Sequence, residues 1–256
     1  LNNPLALAAL KAVCGERFHQ NQPLERYTAA RVGGAADALI EVTPTNALSG
    51  EPAIGYIRTA LNRKKHVVTS NKGPIALAAK ELRAMAKKKG VALRYEATVA
   101  GAIPVMHTLE NGLAGNEILA LYGVLNGTCN FILTRMAAEG LTYEQALMEA
   151  REMGYAEADP TYDVQGIDAA IKLVILANTI WDNGVKLDDV DRTGIDLLTP
   201  DALRLADEEG CTIRLIAEAN PRKHLLRVSP RILDKNHPLV FEGTLNALTL
   251  ETDMAK

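Results

Sequence analysis

Asp168 and Lys172 stand four residues apart in a stretch, Ile167 to Trp181, whose other residues are almost all apolar. In a helix that spacing puts both side chains on one face, one turn apart. A carboxylate and an ammonium so placed either form an ordinary ion pair at the helix surface, which adds little stability, or share one polar pocket. The residues upstream favour the pocket. Gly154-Tyr155-Ala156-Glu157-Ala158-Asp159-Pro160-Thr161-Tyr162-Asp163 is a loop marked by Gly and Pro that carries three carboxylates to the start of that helix. Asp163 is placed to cap the helix, which leaves Glu157 and Asp159 for a ligand. Carboxylates that hold an ammonium, beside a lysine that handles a hydroxyl proton, make a cradle for a small zwitterion. Further upstream, Gly123-Val124-Leu125-Asn126-Gly127-Thr128-Cys129-Asn130 reads as a strand end, a turn and a helix start. Thr128 or Asn130 can cap that helix while its free N–H groups offer a site for an anion or carboxylate. The same residues serve equally well as a capped turn and nothing more.

Two kinds of framework position these residues. From Asp37 to Tyr95 short apolar runs alternate with amphipathic helices, the pattern of parallel βαβ units. A strand at Ala38 to Val42 stops at Thr43-Pro44-Thr45-Asn46. A helix from about Glu51 to Leu61 takes Pro52 in its first turn, and His66 to Thr69 is a second strand. A helix from Pro74 to Lys89 is closed by Gly90, and Val91 to Tyr95 is a third strand. Ligands of open parallel sheets bind beyond the carboxyl ends of the strands, so Thr43 to Asn46 and Ser70 to Gly73 are expected to line one site. After about Thr98 the alternation ends. Glu117 to Leu125 reads as a strand with one covered face. Asn130 to Glu139 and Tyr143 to Met153 read as helices stopped by Gly140 and Gly154. Ile167 to Trp181, apolar nearly all round, is expected to be buried. A helix at Pro200 to Glu209 and strands at Thr212 to Glu218, Leu225 to Val228 and Leu245 to Glu251 complete an α+β second region.

Composition excludes several classes of function. With 28 basic against 31 acidic residues in 256, the chain lacks the cationic excess that binding to a phosphate backbone needs, so nucleic acid is not an expected partner. The nearly apolar run at Ile167 to Trp181 is broken by Asp168, Lys172 and Asn178 and is too short to cross a bilayer. Cys14, Cys129 and Cys211 form no CxxC pair and have no histidine nearby to complete a zinc set. They read as reduced thiols of a cytoplasmic protein. The start, Leu1-Asn2-Asn3-Pro4, has no initiating methionine and no basic residue ahead of an apolar stretch, unlike a secretory signal; it reads as a chain cut at its front.

At these residues the sequence closely resembles the homoserine dehydrogenase family. GVLNGTCNFIL (Gly123 to Leu133) is similar to the family's loop before a catalytic helix, and GYAEADPTYDVQGIDAAIKLVILA (Gly154 to Ala177) to its signature. VVTSNKGP (Val67 to Pro74) and EATVAGAIP (Glu96 to Pro104) resemble two further blocks, in the same order. The resemblance implies reversible hydride transfer between L-homoserine and L-aspartate 4-semialdehyde, a step of threonine and methionine biosynthesis, with NADP or NAD as cofactor. It assigns proton transfer at the substrate hydroxyl to Lys172, a second active-site lysine to Lys72, and contacts with homoserine to Asp168, Glu157 and Thr128. Thr43, Ser70 and Lys72 fall where the family meets the nicotinamide side of the cofactor. Glu96, Val99, Gly101 and Ile103 match a loop whose backbone carbonyls hold a monovalent cation, sodium, a hard ion suited to oxygen ligands. The resemblance also implies a homodimer. A carboxylate near Lys172 favours its charged form, the right acid for reducing the semialdehyde, whereas abstracting a proton needs burial to offset that effect.

The expected fold is therefore α/β: a partial Rossmann-like parallel nucleotide-binding region at residues 1–97, to which 247–256 return, and an α+β catalytic and dimerisation domain at 98–246. The family's opening strand and Gly-rich turn, which seat the cofactor pyrophosphate, have no counterpart before Ala38, where Gly33-Gly34 precedes a strand instead of following one. A glycine-rich closing segment is also missing after Met254. This predicts weak or no dinucleotide binding by the 256 residues alone, and no feedback by threonine through an appended regulatory module. The alternative readings are another NAD(P)-dependent semialdehyde or amino-acid dehydrogenase, and a cofactor-incompetent fragment of such an enzyme.

Overall fold

A computed structural model of the chain describes residues 38–101 and 103–254. Cys14 and Gly33-Gly34 lie outside the described residues. The first half is a three-stranded parallel sheet in the order β1-β2-β3, from Ala38–Glu41, His66–Thr69 and Leu93–Arg94. Helices α1 (Ala53–Asn62) and α2 (Lys72–Lys89) form the crossovers. Their apolar faces meet the sheet through Ile57, Leu61, Val67 and Leu82, each fully buried. Helix α2 starts at Lys72, two residues before the expected Pro74, because Asn71 caps it by accepting from Gly73 N at 3.1 Å. It is interrupted at Ala78 (φ −138°, ψ 16°) and closes, as expected, at Gly90. The third strand is shorter than the Val91 to Tyr95 expected; Tyr95 passes directly into a 3₁₀ turn at Glu96–Thr98.

A one-turn helix α3 (Val105–His107) leads to the second half, a five-stranded sheet in the order β5-β7-β6-β4-β8. Its strands are Ile118–Val124 (β4), Asp191–Arg192 (β5), Cys211–Asn220 (β6), Leu225–Asp234 (β7) and Ala247–Thr252 (β8). All neighbours are antiparallel except β5 and β7. Of residues 247–256, expected to return to the nucleotide-binding region, Ala247–Thr252 form β8 along β4, with Leu121 opposite Leu250 and Tyr122 opposite Thr249, and Ala255 and Lys256 lie outside the described residues. Antiparallel pairing on the edge of β4 satisfies its backbone groups, which strand patterning alone does not assign to a partner. Strand β4 also has more than the one covered face expected, since Leu121 joins the main core while Val124 joins a cluster with Ile216 and Leu239.

Helices α4 (Gly127–Glu139), α5 (Tyr143–Glu152), α6 (Thr161–Val164), α7 (Ile167–Trp181) and α8 (Pro200–Glu208) complete the chain. Helix α7 has the bounds expected of it and is the buried one: Ala170, Leu173, Leu176 and Ala177 have no exposed surface. It packs on α2, so one helix from each half forms the seam between them. Along that seam Arg83 donates to Asp182 Oδ1 at 3.0 Å, and the Lys80 ammonium lies 3.1 Å from Asp182 Oδ2.

Candidate functional site

The site forms where the amino end of α2, the end of β4, the loop after α5 and the first turn of α7 converge. Strand β2 delivers Lys72 at the first position of α2, and one turn of α7 delivers Asp168 and Lys172. The i,i+4 pair is neither a surface pair nor alone. Asp168 is 4% exposed. Its Oδ2 lies 2.7 Å from the Lys172 ammonium, and the Lys72 ammonium from the other half of the chain meets its Oδ1. Lys172 also donates to the carbonyl of Leu125 at 2.6 Å, at the end of β4. Burial pushes the Asp168 carboxyl up, but the charges and hydrogen bonds of Lys172 and Lys72 outweigh it and hold the group below its usual value. Two cations on one buried anion leave the cluster with net positive charge.

Around this cluster opens a cavity of about 450 Å³ walled by Lys72, Asn126, Gly127, Thr128, Tyr155, Glu157, Tyr162, Asp163, Asp168, Lys172 and Thr244. Glu157, at the exposed rim, makes no hydrogen bond or ion pair among the described residues. Thr128 donates to Tyr155 O at 2.8 Å, tying the start of α4 to the loop that carries Glu157. The Tyr162 ring lies against Lys72, 5.5 Å from ammonium to centroid, and burial followed by the nearby Asp168 and Asp163 pushes its hydroxyl up to about 12. A second cavity of about 420 Å³, lined by Leu109, Trp181 and Arg222, holds no comparable convergence of charges.

Three sequence expectations change here. Asp163 does not cap α7, whose N-cap is Gly166 (φ 73°); it sits inside α6, and its carboxylate takes a hydrogen bond from Asn126 at 2.7 Å. Burial is the main cause that raises the Asp163 carboxyl, partly offset by that bond. Asp159 is spent on the Thr161 N–H, 3.1 Å away, and does not line the cavity. Neither Thr128 nor Asn130 caps α4: Asn126 does, accepting from Cys129 N at 2.8 Å. Asn130 instead donates to the carbonyls of Phe241 and Gly243, at 3.2 and 2.8 Å, and so fixes the loop that brings Thr244 to the cavity.

That loop leaves no room at Gly127, where an added Cβ would stand 2.4 Å from the Thr244 carbonyl oxygen. Both partners are backbone, so one must move. Gly127→Ala is expected to destabilise the fold by about 1–3 kcal/mol, the usual cost of overpacking, and to weaken ligand binding at the cavity together with the fall in melting temperature. Denaturation and titration of the same sample check this, and an unchanged melting temperature would show that the loop is free to yield.

The two loops beyond the parallel strands do come together. Glu41, 2% exposed, ends β1, and its carboxylate accepts from Thr43 N, Thr43 Oγ1 and Thr69 Oγ1 at 2.5 to 2.8 Å. Asn71 donates to Thr43 O at 3.1 Å, so the loop starts at Thr43 and Ser70 are held side by side. Sequence reading missed Glu41; the available signal was a carboxylate ending an apolar strand. Ser70 is exposed and its hydroxyl has no partner among the described residues. With Lys72 and the amino end of α2 beside it, this ledge presents hydrogen-bonding groups that could hold a polar ligand. In the loop after β3, the Glu96 carboxylate accepts from Met106 N and His107 N at 2.7 and 2.9 Å. Val99 is buried, and Ala100 and Gly101 turn left-handed (φ 57° and 56°). The carbonyls of Val99 and Gly101 accept no hydrogen bond among the described residues, whereas that of Ile103 already accepts from Val105 N at 2.8 Å.

The family model for homoserine dehydrogenase matches residues 104–256, from α3 through the five-stranded sheet. The chain belongs to the homoserine dehydrogenase family. A homoserine dehydrogenase of Methanocaldococcus jannaschii is 50% identical over 221 residues, 86% of this chain and 65% of that protein. A solved structure from Archaeoglobus fulgidus, given the same name provisionally, is 47% identical with a TM-score of 0.82, covering 98% of this chain and 75% of that one. A mutant of a hyperthermophilic archaeal homoserine dehydrogenase in complex with NADPH is 33% identical with a TM-score of 0.72, over 85% of this chain and 62% of that one. The chain thus spans just under two thirds of the length of the curated relative.

Proposed function

We propose that these residues form the substrate half of an NAD(P)-dependent oxidoreductase that interconverts L-homoserine and L-aspartate 4-semialdehyde. The observation that carries this reading is the convergence of two lysines, from separate halves of the chain, on the buried carboxylate of Asp168 in a polar cavity. Lys172 exchanges the proton of the substrate hydroxyl, and Asp168 aims its ammonium while Lys72 shares the charge. Glu157, free at the rim, takes the substrate ammonium with Thr128 beside it. Thr43, Ser70 and Lys72 would hold the nicotinamide end of NADP or NAD. A nicotinamide bound there would supply the hydride acceptor for the carbinol carbon of homoserine and, reduced, the hydride donor for the aldehyde carbon. Alignment of the two reactants is the protein's larger task, since hydride passes directly between them.

The NADPH complex of an archaeal relative supports the choice of cofactor. The carbonyls of Val99 and Gly101, with Glu96 and Ile103 in the same loop, suit a sodium ion, which also prefers such oxygen ligands. Among the described residues no helix is long and apolar enough to cross a membrane. A cytoplasmic homodimer serving threonine and methionine biosynthesis is the setting this reading takes.

The test is homoserine-dependent reduction of NADP and NAD, with Glu157→Gln in parallel. Removing the carboxylate charge while keeping its shape should raise KM for homoserine by about tenfold, matching a lost charged hydrogen bond of about 1.5 kcal/mol, and leave kcat within a few-fold. An unchanged KM would assign the cavity to a different semialdehyde or amino acid.

A further inference from the structure

We propose that Asn126 is a positioning residue for this site, its single amide nitrogen donating to both Asp163 and Asp168 and so fixing the two carboxylates relative to each other. The proposal rests on the catalytic reading above. The geometry has no slack. Asn126 is 4% exposed, and its Oδ1 accepts from Cys129 N at 2.8 Å. With the oxygen committed to the helix, the two hydrogens of Nδ2 must face the other way, where Asp163 Oδ1 lies at 2.7 Å and Asp168 Oδ2 at 3.0 Å. One side chain therefore caps α4, restrains the carboxylate that orients both lysines, and restrains a second carboxylate on the cavity wall.

The chemistry explains why an amide suits this position. Two carboxylates this close repel, and in a poorly solvated place they tend to share a proton. A neutral group with two N–H donors gives each its own hydrogen bond and adds no charge. Asp168 already spends its oxygens on Lys172 and Lys72. A third donor on Oδ2 limits rotation of that carboxylate, and with it the position of the Lys172 ammonium. Asp163 has no lysine partner, so the amide is its principal donor. The groups facing Asp163 are Asp168 and Lys172 from α7, Thr128 from α4, and the Cys129 thiol, which donates to its backbone carbonyl at 3.2 Å.

Helix capping and carboxylate bridging can be separated by two substitutions. Asn126→Ser keeps a good N-cap but is too short and too poor in donors to reach the carboxylates. Asn126→Asp keeps the cap acceptor and replaces the two donors by a third negative oxygen. Asn126→Ser should melt close to the parent, whereas Asn126→Asp, which buries a third carboxylate beside Asp163 and Asp168, should melt lower. Asn126→Ser should lower kcat/KM for homoserine by about 10- to 100-fold, as ångström-scale misplacement does, with the acid limb of its pH profile moved upward. Asn126→Asp should lose more and move the limb further. A pH profile of unaltered shape in both variants would overturn the proposal and leave Asn126 a cap alone. Carboxyl carbon NMR titration of Asp163, assigned by Asp163→Asn, needs no turnover. An upward move of its titration in Asn126→Ser supports the bridge even if the parent proves inert towards homoserine, an outcome that would count against the functional reading instead. An Asp163 titration identical to the parent's counts against the bridge whatever the activity.

Discussion

Lys172→Met is expected to lower kcat for homoserine oxidation by about 10²- to 10⁴-fold, the range that a positioned proton-transfer group contributes. Methionine keeps the length and most of the volume of the lysine stem, so the neighbours of α7 stay packed. Asp168 retains Lys72 as its ion partner, and the lost interactions are the pairing of Lys172 with Asp168 Oδ2 and the bond to Leu125 O, the latter worth about 1 kcal/mol. Because Glu157, Thr128 and Asp168 are untouched, KM for homoserine should stay within a few-fold. Steady-state kinetics in both directions distinguish the outcomes, since an interaction made only in the transition state lowers kcat and kcat/KM together. A kcat within threefold of the parent would remove Lys172 from proton transfer and direct attention to Lys72.

Asp168→Asn should be the more damaging change to the fold. It leaves two ammonium groups facing each other with no anion between them, on side chains 16% and 22% exposed. Removing one partner from a buried pair costs about 3–5 kcal/mol; because the lysines keep some contact with solvent, the lower end of that range is expected. The loss depends on pH in a definite direction. Burial raises the carboxyl, but Lys172 and Lys72 lower it further, so the folded value lies below the unfolded one, which is about 3.9. Such a group stabilises the fold fully above the unfolded value, and that contribution fades as pH falls towards the folded value. The stability gap between parent and variant should therefore be constant from about pH 7 to pH 5 and narrow below about pH 4. Urea denaturation across this range checks it. A gap that widens on acidification would mean that Asp168 is held protonated in the folded chain.

Much of the framework was legible because the deciding signals are local. Helix α7 was bounded correctly since an apolar run with polar flanks has few alternative readings, and Gly90 and Gly140 marked helix ends by their own conformational needs. What escaped was set by partners distant in sequence. Asp168 and Lys172 could be placed on one face, but nothing in their spacing says that Lys72, on a helix of the other half, completes the cluster; that link came through the family resemblance. Asp163 looked like a cap because it precedes a helix, yet the left-handed Gly166 intervenes and turns its carboxylate to Asn126. Glu41 escaped because a charge at the end of an apolar strand reads as exposed, and only the donors on Thr43, Thr69 and Asn71 make its burial tolerable. Strand β8 was recognised as a strand of the α+β region but its pairing with β4 was not, since strand pattern reports burial and not pairing.

The seam between α2 and α7 carries a mechanical consequence. Lys72 joins Asp168 at one end, and Arg83 and Lys80 join Asp182 at the other. At about 1.5 Å per residue these attachments stand about 21 Å apart along α7. A single clasp would be a pivot, about which the parallel-sheet half could swing and carry the ledge at Thr43 and Ser70 out of register with the cavity around Asp168. Two clasps at that separation act as a brace: rotation about either end must stretch the other, so the alignment of the ledge with the cavity is held by leverage at a point remote from both.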